Sequence, residues 1–278
     1  MGIALFLGAM VWDERLADRQ DRLARDLADR AEVLENTRFV RQLVVENAAV
    51  KPLARLNLQR AELGGLDLAC EGGPEQAVDC ANLSYANLTG ANLTGANLTG
   101  ANLTGADLTG ANLTGANLSG AGLSYANLTG AGLSYANLTS ASLGFASLTS
   151  ANLAGADLIG AELSGADLTG AYLMDTDLTD AKLDFFADLT GAHLTGADMI
   201  GADLTGANLT GADLLCADLT DAKLIDADLA GARLLGAKLA GADMRQEQID
   251  SAGGDASTVL PPEVQRPTDW DSGRYACD

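Results

Sequence analysis

The chain has 278 residues, of which 47% are hydrophobic but only 4% aromatic, enough to bury a long core, though a thin aliphatic one rather than a globular one. Its formal net charge of −21 argues against direct nucleic-acid binding, which needs clustered Lys and Arg. That charge favours solubility and basic partners.

Gly2 to Trp12 is apolar, but about eleven residues fall short of the ~20 that span a bilayer. The stretch also lacks the positively charged start and small-residue cleavage site of a signal peptide. Two readings of residues 1–12 stay open: the end of a membrane anchor that begins upstream, or an amphipathic terminus that frays or packs. Asp13 to about Asn47 predicts a helix, because Leu16, Leu23, Leu27 and Leu34 recur at spacings of 7, 4 and 7 with no Gly or Pro between them. Opposite charges four apart, such as Asp18 with Arg22, Asp21 with Arg25 and Asp26 with Arg30, each add about 0.3 kcal/mol to a solvated helix. The leucines have the spacing of a coiled-coil seam. Gln20, Arg30 and Arg41 fall on the same seam, which favours a helix that packs weakly or dimerises only locally. Phe39, Val40, Leu43, Val44 and Val45 form a denser apolar cluster before Pro52, so residues 13–52 are expected to be a helix and a cap over the open end of the next element.

From Leu53 to Ile249 the sequence is written in five-residue words, most often Ala-Asn-Leu-Thr-Gly. Leu58, Leu63 and Leu68 mark three words, twenty-one more run unbroken from Leu83 to Leu183, and after one extra residue near Phe185 and Phe186 twelve continue from Leu189 to Met244. A ten-residue insertion, 71–80, is two words long and leaves Leu68 and Leu83 in phase. Side chains alternate along a strand, so in Ala91-Asn92-Leu93 the alanine and leucine share one side and the asparagine takes the other. Thr94-Gly95 then sits where the chain turns, and a type II turn demands positive φ at its second central position, which Gly supplies. A helix does not fit, because five does not match 3.6 and a Gly in every word costs ~1 kcal/mol relative to Ala. Strands that turn at every corner can close only into a coil that stacks on itself, leucine over leucine.

These words closely resemble those of the pentapeptide-repeat proteins: Ala, then Asn or Asp, then Leu, then two looser positions. The resemblance implies an all-β solenoid, a right-handed quadrilateral β-helix with four words per coil and the Leu and Ala positions inward. Spacing alone does not distinguish four sides from three. Thirty-six words would make about nine coils, roughly 43 Å tall at the ~4.8 Å strand spacing. With twenty-residue coils, Asp157, Asp177, Asp198 and Asp218 fall on one face and Asp167, Asp188 and Asp228 on the opposite one. These seven are the candidate interaction surface. Lys182, Lys223 and Arg233 fall on the other two faces, and the proximal half carries mostly Asn, whose stacked amides can ladder up a wall. Tyr125 and Phe145 share a corner one coil apart and form a candidate aromatic patch, with plain corner filling as the alternative. Asp184-Phe185-Phe186 reads as a bulge that the phenylalanines shield. Cys70 and Cys80 flank the inserted loop. Either they close it as a disulfide in an oxidising compartment, or they are free thiols, the reading favoured by the missing export signal. Beyond Ile249, Gly253-Gly254, Pro261-Pro262 and Pro267 predict a loose tail over 250–278.

Enzymatic chemistry is not indicated, because a solenoid filled with Leu and Ala offers no cleft with convergent polar groups. His193 is the single histidine; it is expected outward beside Tyr172 and Asp213 and cannot alone supply a triad or a metal cluster. The Gly-Ala-Asn repeats lack the Lys-Ser/Thr ending of a phosphate loop. No catalytic residue, cofactor or metal is therefore expected. Two functional readings follow. One is a non-enzymatic scaffold that presents a rigid surface to a protein partner, preferably basic, in the cytoplasm and membrane-associated if the terminus is an anchor. The other comes from the resemblance to family members of the quinolone-resistance type: a DNA mimic that binds the basic groove of a topoisomerase such as DNA gyrase. The monotony of the words, the confinement of acid to one half and a tail without a dimerising helix weigh toward the scaffold. Binding of an ordered lattice through threonine ladders is weaker still, since Gly144, Ala154, Ile159 and Met174 break them.

Overall fold

The computed structural model describes residues 2–45, 51–69, 81–270, 273 and 275–277, with helix side chains from Arg19 onward. Cys70, Cys80 and the loop between them lie outside the described residues. The first element, α1 (Gly2–Val45), is one helix that includes the apolar start and so begins earlier than the leucine spacing predicts. Leu23, Leu27 and Leu34 are 60 to 64% exposed, so the seam does not dock within the chain. What docks is the other end of the helix. Val40 is fully buried, with Val33, Leu43 and Val44 packed partly beside it. The Asn36 amide donates to the Asn57 carbonyl at 2.9 Å, and Arg41 donates to the Glu62 carbonyl. Among the described residues no helix is long and apolar enough to cross a membrane.

Beyond α1 the word becomes a wall and a corner. Within each coil the leucine N–H donates to the outward residue of the following coil, as from Leu83 to Asn102 at 2.7 Å, and Asn102 N–H donates back to Ala81 at 2.9 Å. Outward residues pair in parallel register twenty apart, Asn82 with Asn102 with Gly122 and onward, so four words complete a turn and the coil has four sides. The leucines and alanines of these words line a single axis and are almost entirely buried, each leucine contributing roughly 1.5 to 3 kcal/mol. At the corners the N–H three residues on closes the turn, as from Ala91 to Leu88 at 2.9 Å, and Gly90 between them has φ +62°, as a type II turn requires.

Both interruptions leave the register intact. The first words pair at a separation of thirty instead of twenty, Asn57 with Asn87 and Asp67 with Asn97. The extra residue at Phe185–Phe186 widens one corner, so that Lys182 pairs with Asp203, twenty-one residues on. The phenylalanines do not shield a bulge there. Leu183 and Ala187 already fill the interior at 0% exposure, leaving the two rings outside at 70 and 84%.

The expectation of a loose tail is also corrected. A short helix, α2 (Gln246–Asp250), inserts Ile249 into the open end of the core, where it is fully buried. Gly253 then pairs with Arg233 and Val259 with Lys238, extending two walls. Gly253-Gly254 reads as a breaker but serves as a close contact: a Cβ on Gly254 would sit 2.4 Å from the Trp270 ring, whose Nε1 donates to the Ala252 carbonyl at 3.0 Å. Buried Asp255 collects donors from Ser257, Thr258, Gly236 and Tyr275. Cys277 is joined by a disulfide to Cys216, with Cα atoms 5.6 Å apart across 61 residues of chain. Apolar and polar anchors together hold these residues over the last coil.

Candidate interaction surfaces

Stacking places every outward residue above its counterpart. Asp157, Asp177, Asp198 and Asp218 follow Asn137 on one wall and end at Lys238. On the opposite wall Asp167 and Asp188 are followed by Asn208 and Asp228. A third wall alternates in sign through Glu162, Lys182, Asp203, Lys223 and Asp243, and the fourth carries Tyr172, His193, Asp213 and Arg233. Neighbouring opposite charges pair along these walls, Lys182 with Glu162 and Arg233 with Asp213 at 2.8 Å, Lys223 with Asp203 and Lys238 with Asp218 at 2.9 Å. Their cationic ends are well exposed, so solvent screens these pairs and they add little to stability. Hydrogen bonds to the facing carboxylates hold the three lysines above their usual range.

All seven candidate aspartates share one local geometry. One carboxylate oxygen accepts the backbone N–H two residues on, at 3.1 Å for Asp157, 3.0 Å for Asp167 and Asp177, 2.9 Å for Asp188 and Asp228, 3.2 Å for Asp198 and 3.1 Å for Asp218. Asparagines do the same, as at Asn92 and Asn112, where the threonine hydroxyl joins the N–H. The word therefore needs Asn or Asp because the oxygen on Cγ reaches the corner N–H. This local bond, rather than a ladder of amides, occupies the outward position, although Asn92 also reaches Glu62 and Asn208 also reaches Asp188 on neighbouring coils. Burial alone would raise the carboxyls of Asp167 and Asp218. Hydrogen bonds from Thr169 and Thr149 to the first, and from Thr220 and Lys238 to the second, outweigh it and hold both below the usual carboxylate range. The two acidic stripes thus hold their side chains in register at steps of ~4.8 Å, although Asn208 interrupts one and the second oxygens of Asp167 and Asp218 accept from Thr149 and Lys238.

Tyr125 and Phe145 stack with centroids 5.4 Å apart and planes 9° from parallel. They belong to a longer column. On the same corner Tyr85 lies over Gly105 and Phe145 over Gly165, where a Cβ would meet the ring at 2.6 Å, and the next coil brings Phe185 and Phe186. Five rings, 58 to 84% exposed, therefore share one edge. The spacing of Tyr125 and Phe145 points to two of them; counting in twenties from Tyr85 through the glycines at 105 and 165 also reaches Phe185, and Phe186 is the extra residue beside it. The edge is closed at each end by the chain's own arginines. Arg55 lies over the Tyr85 ring at 5.8 Å, and Arg245 pairs with Asp226 at 2.9 Å. His193, on another wall, stacks against Tyr172 at 4.9 Å. Among the described residues no group of His, Cys, Asp and Glu is arranged to hold a metal ion.

The family profile for pentapeptide repeats matches in eight copies, over residues 79–120, 111–144, 146–184, 187–224 and 217–246. Among solved structures, HetL is described as a pentapeptide repeat protein involved in heterocyst differentiation regulation in the cyanobacterium Nostoc sp. strain PCC 7120. It is 32% identical, covers 79% of this chain and 91% of its own, and has a TM-score of 0.48. A trypsin-treated form of QnrB1, a plasmid-mediated fluoroquinolone resistance protein, is 21% identical, covers 64% of this chain and 86% of its own, and has a TM-score of 0.43. Comparison with curated proteins gave no match. With more than half of its residues matched to the repeat profile, and each word laid down as one side of a four-sided coil, the chain belongs to the pentapeptide-repeat family.

Proposed function

We propose that this protein is a non-enzymatic scaffold whose rigid walls bind a basic protein partner. The observation that carries the reading is the pair of carboxylate stripes on opposite walls, each aspartate fixed through its own corner hydrogen bond. Charges held in place before binding lose little freedom on association, and a field of one sign steers and selects an oppositely charged surface. The solid leucine and alanine core supports the non-enzymatic part of the reading, since it leaves the outer walls and edges as the working surface. The fold reading that goes with it is a right-handed coil of about nine turns, in line with the general handedness of parallel crossovers. Association with a membrane through α1 is part of the proposal. A disulfide such as Cys216–Cys277 persists in oxidising surroundings, so the cytoplasmic placement expected from the sequence is not carried into it. Crosslinking the protein to its neighbours in its host tests the reading. A basic protein captured by the wild type, and lost when Asp157, Asp177, Asp198 and Asp218 become Asn, supports it. Capture that ignores those four changes removes it.

The same stripes support a second reading, a DNA mimic that occupies the groove of a topoisomerase such as DNA gyrase. Lys238 at the end of one stripe and Asn208 within the other interrupt the charge and place this reading second. Potent inhibition of gyrase supercoiling that fades with added salt would reverse the order.

A further inference from the structure

The widened corner is a feature the scaffold does not need. Phe185 and Phe186 both adopt positive φ, 48° and 68°, a conformation that disfavours side chains larger than Gly, and their rings stand in solvent instead of covering the core. Strain without compensating burial is what a functional site leaves in a regular fold. The same corner carries Tyr85, Tyr125 and Phe145, also at positive φ where most words place Gly. The breaks in the family match at 145 and at 185–186 fall on three of these rings.

We infer that this edge is a docking track for an arginine-bearing segment of a protein partner, whose guanidinium groups lie on the exposed rings while the flanking carboxylates balance their charge. The chain itself shows the recognition: Arg55 already covers the first ring of the track, and Arg245 already occupies the carboxylate at its far end. Between them Tyr125 and Phe145 form one stacked pair whose outer edges are open, and Phe185 and Phe186 are 70 and 84% exposed. On one side of the track runs the wall of Asp167 and Asp188. Beside the phenylalanines an open cleft of about 370 Å³ is lined by Asp184, Asp203 and Asp226 together with both rings. Lys223 pairs with Asp203 and Arg245 with Asp226 there, which leaves one carboxylate in excess, Asp184, held in place by the Ser164 hydroxyl. Arginine suits such a site better than lysine, because its planar, weakly hydrated guanidinium stacks on a ring while its N–H groups reach carboxylates at the side. From Tyr85 to Phe186 the track spans five coil steps, roughly 24 Å, the length of about seven residues of extended chain.

This inference rests on the protein-binding reading above and names its contact. The test is titration of the full-length protein, by anisotropy at physiological ionic strength, with labelled hexa-arginine and hexa-lysine peptides. One variant combines Tyr125→Gly, Phe145→Gly, Phe185→Gly and Phe186→Gly, which suit the positive φ of these corners and preserve the fold; circular dichroism confirms that. A second combines Asp157→Asn, Asp177→Asn and Asp198→Asn on a wall away from the track. The expected result is tighter binding of hexa-arginine than of hexa-lysine by fivefold or more, with each ring contributing about two- to fivefold and the preference abolished in the four-glycine variant. Equal binding of the two peptides, a preference that survives loss of the rings, or no binding at all overturns the track. If the asparagine variant then loses both peptides equally while the four-glycine variant binds like wild type, the acidic scaffold stands and the track falls.

Discussion

Leu103, Gly110 and Asp255 show how differently single residues are held. Leu103 is fully enclosed by leucines and alanines of its own and adjacent coils, and a cavity there cannot collapse without moving the walls. Leu103→Ala is expected to cost about 2 to 5 kcal/mol in urea unfolding. Gly110 has φ +61° and open space where a Cβ would stand, so Gly110→Ala meets no clash. It should cost only the backbone penalty of about 1 to 2 kcal/mol. Asp255 is held by its donors. Burial would push its carboxyl up, but hydrogen bonds from the Ser257 hydroxyl and from the Tyr275, Gly236 and Ser257 N–H groups bring it down to about 2. A carboxyl whose folded pKa lies below its ordinary value of 3.8 contributes fully above about pH 4 and loses that contribution as pH falls toward 2. Protection of the Gly236 and Tyr275 amides against hydrogen exchange, relative to the intrinsic rate at each pH, should therefore fall over that interval, and Asp255→Asn should show the lower protection already at neutral pH.

Walls and corners differ in how plainly they can be read. The wall was legible because Ala, Asn and Leu repeat at fixed places and each has one physical task. The corner rule was legible too, although Ser150, with φ 55°, shows that a non-glycine can be tolerated there. Ser150→Gly is expected to raise stability by about 1 kcal/mol, read as a higher melting temperature. The tail was not legible, because its contacts are unique. Nothing in the spacing of Gly254, Trp270 and Cys277 announces that a ring seats on the glycine or that the sulfur reaches Cys216, 61 residues back. The aromatic edge was half legible: Tyr85, Tyr125, Phe145 and Phe185 fall on one count of twenties, whereas the extra residue hides Phe186 from it. Removing the clasp by Cys277→Ser should free the last residues without unwinding the coil. The measurable outcome is faster proteolysis beyond 260 with unchanged far-UV circular dichroism. Coil loss on the same timescale would show that the tail holds more than itself.

For the molecule as a whole, the charge of −21 and the sequence pI of about 4.1 set the response to acid. Asp107, Asp167, Asp203 and Asp218 lie below the ordinary carboxylate range through their threonine and lysine partners, against the opposing effect of burial. Their contribution to stability is present above about pH 4 and declines below it. Near the same pH the net charge vanishes and with it the repulsion that keeps molecules apart. Light scattering should therefore show a solubility minimum near pH 4, while thermal stability at neutral pH should rise with added salt as self-repulsion is screened. The geometry of the extra residue carries a separate implication. Since Lys182 and Asp203 stay paired across it, length added at an apex is dissipated in solvent and never transmitted to the flat sides. A foreign peptide spliced between Phe185 and Phe186 should hang as a free loop while the downstream sides keep their places, making that apex a natural port for tags, reporters or new recognition segments.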